Sequence, residues 1–484
     1  MWADSSRQPA VPHALDKDGN DGKGGKGVFE PSRPSHPSRP SRFPHPLALL
    51  VGCVLVAAAL TWLLPAGRYE RHEDTATGRS VVVPGTYQRV AQQPVGPFQA
   101  LVAVPKGIVD AASVIGLIFL IGGAFTVVER TGTFVRLVHG LVRRMRRRGI
   151  LVIPVASIAF SLGGIMMQMQ EELIAFVPVL LLLVRRLGFT PVTAVAMSLG
   201  AAAVGAAFSP VNPFQVIIAQ KVAELPPASG LGFRLAFLVP ALSLWILGTM
   251  YHARRTRVPP DSAAADEEAA LDGRDLTILL AILAAFGTYI YGAQRLGWEF
   301  NELAALFFAV GILAGLLGRL GMGGTTDAFV DGFRSMTLAA LLVGFARAIY
   351  VVLNEGQIVD TIVHGLFTPI AELPTILAAL GMMVVQGVIH VPVPSTSSQA
   401  VLTLPLLVPL SDLIGLSRQV TVLAYQYGAG LCEMITPTNG ALMAMLAAAG
   451  VRYEDWLKFV IPLYAGLMVL AAIALALGVA IGLR

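Results

Sequence analysis

The chain has 484 residues, of which 55% are hydrophobic and only 13% charged, and its mean hydropathy is +0.69. Soluble globular proteins carry about a quarter charged residues, so the composition argues against a large soluble enzyme and excludes a disordered or collagen-like chain. The net charge is a modest +5, and the two cysteines, Cys53 and Cys432, lie in apolar runs with no disulfide framework or zinc spacing.

Residues 1–46 are rich in Pro, Ser, Gly and basic residues without apolar periodicity, which predicts a disordered cytoplasmic tail. The first apolar run begins near Leu47, too late for a signal peptide. A membrane-spanning helix needs about 20 apolar residues. Runs at 47–64, 111–128, 233–251, 276–291, 303–317, 338–353 and 457–483 meet or approach that length. Two long stretches, 191–222 and 418–449, carry Pro and Asn in the middle and predict broken transmembrane helices. Two more, at 150–187 and 374–413, have second legs (173–184 and 400–410) too short to cross and predict re-entrant hairpins.

Positive charge sets the orientation. Arg33, Arg39 and Arg42, the cluster Arg143, Arg144, Arg146, Arg147 and Arg148, the pair Arg185 and Arg186, and Arg254, Arg255 and Arg257 predict cytoplasmic positions. No Lys or Arg occurs between Arg347 and Arg418. The first hairpin is therefore expected to open from the cytoplasm and the second from outside. Arg68, Arg71, Arg79 and Arg89, mixed with acids in segment 66–97, run against this orientation.

Val138-His139-Gly140-Leu141 recurs 225 positions later as Val363-His364-Gly365-Leu366, and Gly107 and Val127 meet Gly332 and Val352 at the same offset. Further on, at an offset of 227, Pro178, Gly188, Pro210 and Asn212 meet Pro405, Gly415, Pro437 and Asn439, and Ser209 faces Thr436. The pattern predicts an all-α polytopic membrane protein built from two repeats, 47–251 and 301–484. A cytoplasmic linker and one connecting helix, 252–300, would invert the second repeat relative to the first.

Interrupted helices in inverted repeats point to a secondary transporter, because non-helical backbone at membrane depth needs polar partners or a wet cavity. The breaks read Ser209-Pro210-Val211-Asn212-Pro213 and Thr436-Pro437-Thr438-Asn439-Gly440. Proline frees a carbonyl from its helical partner, and the neighbouring hydroxyls and amides can either satisfy that backbone or join it around a small cation or polar substrate group. The second hairpin turn, Ser395-Thr396-Ser397-Ser398, suits either helix capping or a carboxylate ligand. Glu171 and Glu172 open the second leg of the first hairpin. A charged acid at membrane depth costs about 2.5–3.5 kcal/mol on insertion scales, so the pair is read as a cap, a cation or proton site, or a partner for a cationic substrate. Glu433 is a further acid of this kind, and Arg347 either binds a substrate carboxylate or pairs with a membrane acid. His390 reads as a packing histidine, and no phosphate-binding loop or intramembrane-protease pattern is present.

Gly163 through Glu171-Glu172, Asn212-Pro213-Phe214, Ile218-Ala219-Gln220 and Leu225-Pro226 resemble the C4-dicarboxylate anaerobic carrier family (DcuC-like), in its YfcC-type branch. So do Pro394-Ser395, Leu404-Pro405, Pro409-Leu410, Arg418-Gln419 and Pro437-Thr438. The resemblance implies an elevator-type member of the ion-transporter superfamily. Its implied partners are the lipid bilayer, a small carboxylated substrate (a C4-dicarboxylate or a basic amino acid) and a second copy in a homodimer. No cofactor beyond a coupling Na+ or H+ and no nucleic-acid partner is expected. The superfamily's Ser-Asn-Thr motifs are replaced here by Gln-Glu-Glu and Ser-Thr-Ser-Ser at the tips, which favours a cationic amino acid. The expected activity is symport or antiport across the cytoplasmic membrane. The alternatives are a channel or a substrate-sensing receptor on a transporter scaffold, and an enzyme is not expected.

Overall fold

The computed structural model describes residues 45–74, 79–144, 148–260 and 271–483, so residues 1–44 of the tail expected over 1–46, Arg146 and Arg147 lie outside the described residues. The chain opens with α1 (Pro46–Leu63) and four short strands, β1 (Gly67–Arg68), β2 (Arg71–Asp74), β3 (Arg79–Val82) and β4 (Gln88–Arg89). These strands pair antiparallel as β1 with β4 and β2 with β3. Then come α2 (Pro97–Asp110), α3 (Ala112–Arg130), α4 (Thr133–Arg144), α5 (Val152–Met167) and α6 (Val177–Leu187). The first broken helix consists of α7 (Pro191–Val195), a π-helical turn, α8 (Ala201–Ala207) and, past the break, α9 (Ile218–Val222). Four long helices follow: α10 (Leu231–Arg255), α11 (Gly273–Arg295), α12 (Phe300–Leu317) and α13 (Gly321–Glu355). The chain ends with α14 (Val359–Phe367), α15 (Thr375–His390), α16 (Thr396–Leu413), α17 (Arg418–Cys432), α18 (Gly440–Ala448) and α19 (Tyr453–Ala480).

The protein is mostly helical, and eight of its described helices are long and apolar enough to cross a membrane. Seven coincide, to within three residues at an end or by enclosing it, with a run expected to span. The eighth, Gly149–Met167, is the first leg of the first hairpin. Both second legs are longer than their apolar runs. The first begins at Glu171 with a 3-10 turn, and α16 extends for 18 residues from Thr396. Their polar first turns are buried or half-buried, and neither second leg is among the eight helices long and apolar enough to cross.

One order of elements occurs twice: a long helical arm (α2 with α3, then α13), a short helix (α4, α14), a hairpin, a broken helix and a long closing helix (α10, α19). In the first copy the arm is interrupted at Ala111, whereas α13 runs unbroken for 35 residues. Neither α2 nor the first half of α13 lies within an apolar run expected to span. Their charges suppress the apolar count, yet Lys106 pairs with Glu355, Arg130 with Asp331, and Asp110 with Arg347 across the packed arms.

Each hairpin grips its own broken helix at a glycine. A Cβ on Gly164 of α5 would lie 2.0 Å from the Ala202 carbonyl oxygen of α8, and one on Gly428 of α17 would lie 2.1 Å from the Met383 oxygen of α15. Both obstacles are backbone atoms, so no rotamer can relieve the clash. Gly428→Val is expected to cost about 3 kcal/mol or more, visible as a lower Tm and a loss of monodisperse protein in detergent. A wild-type melting curve would show that the two helices can separate freely.

At the π-helical turn Ala196–Gly200 the Ala196 carbonyl accepts both the Ala201 N–H and, at 2.9 Å, the Trp245 indole N–H of α10. On another face, Arg71 of β2 pairs with the buried Asp360 of α14 at 2.7 Å, and the Tyr69 hydroxyl meets His364 Nδ1 at 3.0 Å. These contacts fasten the strand segment to α14.

Candidate functional site

Three of the four predicted interruptions meet. At the first hairpin tip α5 stops at Met167, and Gln168 turns the chain in the left-handed region at φ 55°. The chain then enters the 3-10 turn at Glu171. At the second tip the Ser395 hydroxyl accepts the Ser398 N–H at 3.4 Å and starts α16. At the second break α17 ends at Cys432, and Asn439 Oδ1 accepts the Leu442 N–H at 3.0 Å to start α18. Proline and the sparse helical residues between Glu433 and Asn439 keep the helix from closing across this gap.

Side chains from the tips knit these segments together. Gln168 Nε2 donates to Thr396 Oγ1 at 2.7 Å and to Glu433 Oε1 at 2.9 Å. Gln170 Nε2 donates to the other Glu433 oxygen, and Gln170 Oε1 accepts from Asn439 Nδ2 at 3.3 Å. Glu172 Oε2 accepts the Gln170 N–H at 3.1 Å. The Tyr425 hydroxyl donates to the Thr396 carbonyl at 2.6 Å and fixes the start of α16.

A cavity of about 520 Å³ lies against this network. Glu171, Glu172, Ser395, Thr396, Ser397, Glu433, Thr438 and Asn439 all line it, with Arg347 and Asp110 also on its wall. Thr438 Oγ1 donates to the Val391 carbonyl at 2.6 Å. Arg347 forms an ion pair with Asp110 and lies 5.2 Å from the Tyr350 ring centre.

The remaining predicted residues lie elsewhere. Ser398 faces a second cavity of about 470 Å³ beside Arg68 and Arg71. Thr436 is buried with its hydroxyl 2.9 Å from Cys432 Sγ. Ser209 and Asn212 do not line the 520 Å³ cavity. Their polar groups are consumed by backbone. Ser209 Oγ donates to the Ile165 carbonyl at 2.9 Å, Asn212 Nδ2 donates to the Gly164 carbonyl at 2.8 Å, and Asn212 Oδ1 accepts the Phe214 and Gln215 N–H groups at 2.9 Å. The first break is therefore sealed onto α5, and only Phe214 from beyond it reaches the cavity wall.

Gln168, Gln170 and Asp110 were not singled out as site residues. The glutamines stand beside the acidic pair at an expected turn, which was the available signal. Asp110 lay in a helix the apolar count overlooked.

The cavity is strongly acidic. Asp110, Glu171, Glu172, Glu299 and Glu433 line it, against Arg347 as the sole lining Lys, Arg or His among the described residues. Glu172 and Glu433 are buried, and among the described residues neither they nor Glu171 pair with a cation. No set of three His, Cys, Asp or Glu among the described residues is close enough to hold a metal ion. Burying unpaired carboxylates is costly, and a cationic group entering the cavity would offset that cost.

Comparison with known proteins places this architecture. The family model described as C4-dicarboxylate anaerobic carrier matches residues 43–480. The chain belongs to that family. It is 34% identical over 467 residues to YfcC of Escherichia coli (strain K12), which is provisionally named a basic amino acid antiporter, covering 86% of this chain and 92% of that protein. An uncharacterized protein of Haemophilus influenzae is 26% identical over 496 residues, covering 91% of this chain and 97% of its own length. Among solved structures, the YdaH transporter of Alcanivorax borkumensis gives a TM-score of 0.46 at 17% identity, covering 91% of this chain and 99% of that one. MtrF of Neisseria gonorrhoeae, described with a class of antimetabolite efflux pumps, gives 0.40 at 17% identity, covering 90% and 96%. Family membership and the apolar helices identify a multi-pass membrane transporter.

Proposed function

We propose that this protein is a secondary active transporter that carries a basic amino acid across the cytoplasmic membrane, by exchange or with a coupling Na+ or H+. The observation that carries the reading is the set Glu171, Glu172 and Glu433, which face one cavity with no cationic partner among the described residues. A protonated amine or guanidinium is the complement of that set. The α-carboxylate would be received by the first turn of α16, where Ser395, Thr396 and Ser397 line the same cavity, with Arg347 nearby on its wall. A C4-dicarboxylate, the substrate in the family's description, would bring two negative charges into an acid-lined space and be repelled. The E. coli relative's name supports the cationic substrate.

In this reading residues 47–251 and 301–484 are inverted copies joined by 252–300, and the N-terminus is cytoplasmic. The hairpins and broken helices move as a transport unit against a dimerising scaffold. The twofold order of elements and the two glycine crossings support that division. Proteoliposomes loaded with unlabelled arginine, lysine or ornithine are expected to accumulate the labelled compound by counterflow, while succinate-, fumarate- or malate-loaded vesicles do not. Counterflow with dicarboxylates alone would overturn the substrate assignment. Single-channel currents would overturn the carrier mechanism.

A further inference from the structure

Arg234, in the first turn of α10, is completely buried. Its Nε donates to Gln426 Oε1 at 3.1 Å, and its Nη1 donates to the Ser229 carbonyl at 2.7 Å and to Gln419 Oε1 at 3.1 Å. All three acceptors are neutral, and no carboxylate among the described residues pairs with it. Its Nη2 is shut off from solvent without a hydrogen-bond partner. A guanidinium cannot shed its proton to escape this position, and neutral acceptors on one side of the fork leave the buried charge largely uncompensated.

Two more orphaned groups share the neighbourhood. The Tyr427 hydroxyl, one residue along α17 from Gln426, is buried without a hydrogen-bond partner. Its ring is held against Phe208, with centroids 4.7 Å apart. The Gln215 amide, just past the first break, is also buried with both atoms unpartnered. It packs on α17 at Gly430, one turn beyond Tyr427, where an added Cβ would lie 3.1 Å from its Oε1. Gln426 closes the group by donating to the Ser209 carbonyl at 2.8 Å.

We propose that Arg234 Nη2, the Tyr427 hydroxyl and the Gln215 amide N–H form a binding site for a small inorganic anion of halide size. The donors match an anion. All three groups are shut off from solvent, and none of the three residues lines the 520 Å³ cavity. The ion would tie α10, the first break and the second broken helix α17 together, so its effect is on the stability of the paired broken helices.

The test uses the full-length purified protein in detergent, melted in sodium chloride, sodium bromide or sodium gluconate at equal ionic strength. Chloride and bromide are expected to raise Tm saturably above gluconate. Arg234→Gln should lose the response, and Tyr427→Phe should raise the half-saturating halide concentration about tenfold. If Arg234→Gln fails to fold, Tyr427→Phe decides alone. Identical wild-type curves in chloride and gluconate would overturn the site, as would an unchanged half-saturation in Tyr427→Phe. The double variant Glu171→Gln with Glu172→Gln should keep the halide response, so failure of the transport assignment would leave this site standing.

Discussion

Glu433→Gln, and Glu171→Gln combined with Glu172→Gln, are each expected to lower kcat/KM for arginine or ornithine uptake by about ten- to a hundredfold per carboxylate. A hydrogen bond to a charged group contributes about 1.5–3 kcal/mol, and each 1.4 kcal/mol is tenfold. Glutamine keeps the volume and one acceptor oxygen, so one of the two donors, Gln168 Nε2 or Gln170 Nε2, keeps its partner at position 433 while the other faces the new NH2 group. Tm should hold or rise in both variants, because a buried charge without a counter-ion has been removed. Binding and stability thus move in opposite directions, which a merely structural role for these acids would not produce. Unchanged arginine uptake in both variants would end the cationic-substrate reading.

Asn212→Ala and Asn439→Ala are expected to behave differently although the two residues occupy matching positions. Asn212 is completely buried and satisfies three backbone groups: the Phe214 and Gln215 N–H donors and the Gly164 carbonyl. Alanine there should cost about 2–4 kcal/mol from the lost cap and the orphaned donors, with KM unchanged in the protein that still folds. Asn439 caps α18 through a single N–H and lines the cavity. Its alanine variant should raise KM severalfold with a smaller fall in Tm. Measuring Tm and KM for both variants checks this, and a KM effect from Asn212→Ala alone would restore the first break to the pocket.

Much of the architecture is legible in the residues. The runs under α1, α10, α11, α12 and α19 each read as a span because lipid exposure demands an apolar side chain at nearly every position. The breaks at Pro210–Asn212 and Pro437–Asn439 are legible because an interrupted helix at membrane depth needs a proline to open it and a cap to restart it. Less visible were α2 and the front of α13, where Lys106, Asp110 and Asp331 are neutralised by partners more than 200 positions away in the chain.

Hydropathy and helix breaking are local quantities that add along the chain, so residue order alone determined that this protein lives in a membrane and where its helices fail. Pairing is not local. Whether Asn212 spends its hydrogen bonds on Gly164, whether Arg347 finds Asp110, and whether Glu433 meets two glutamines or a cation depend on which segments the packed helices bring together. Only the tertiary structure decided that one break is sealed while the other opens onto an acid-lined cavity. Two nearly equivalent sequence motifs acquired different roles from the atoms packed against them.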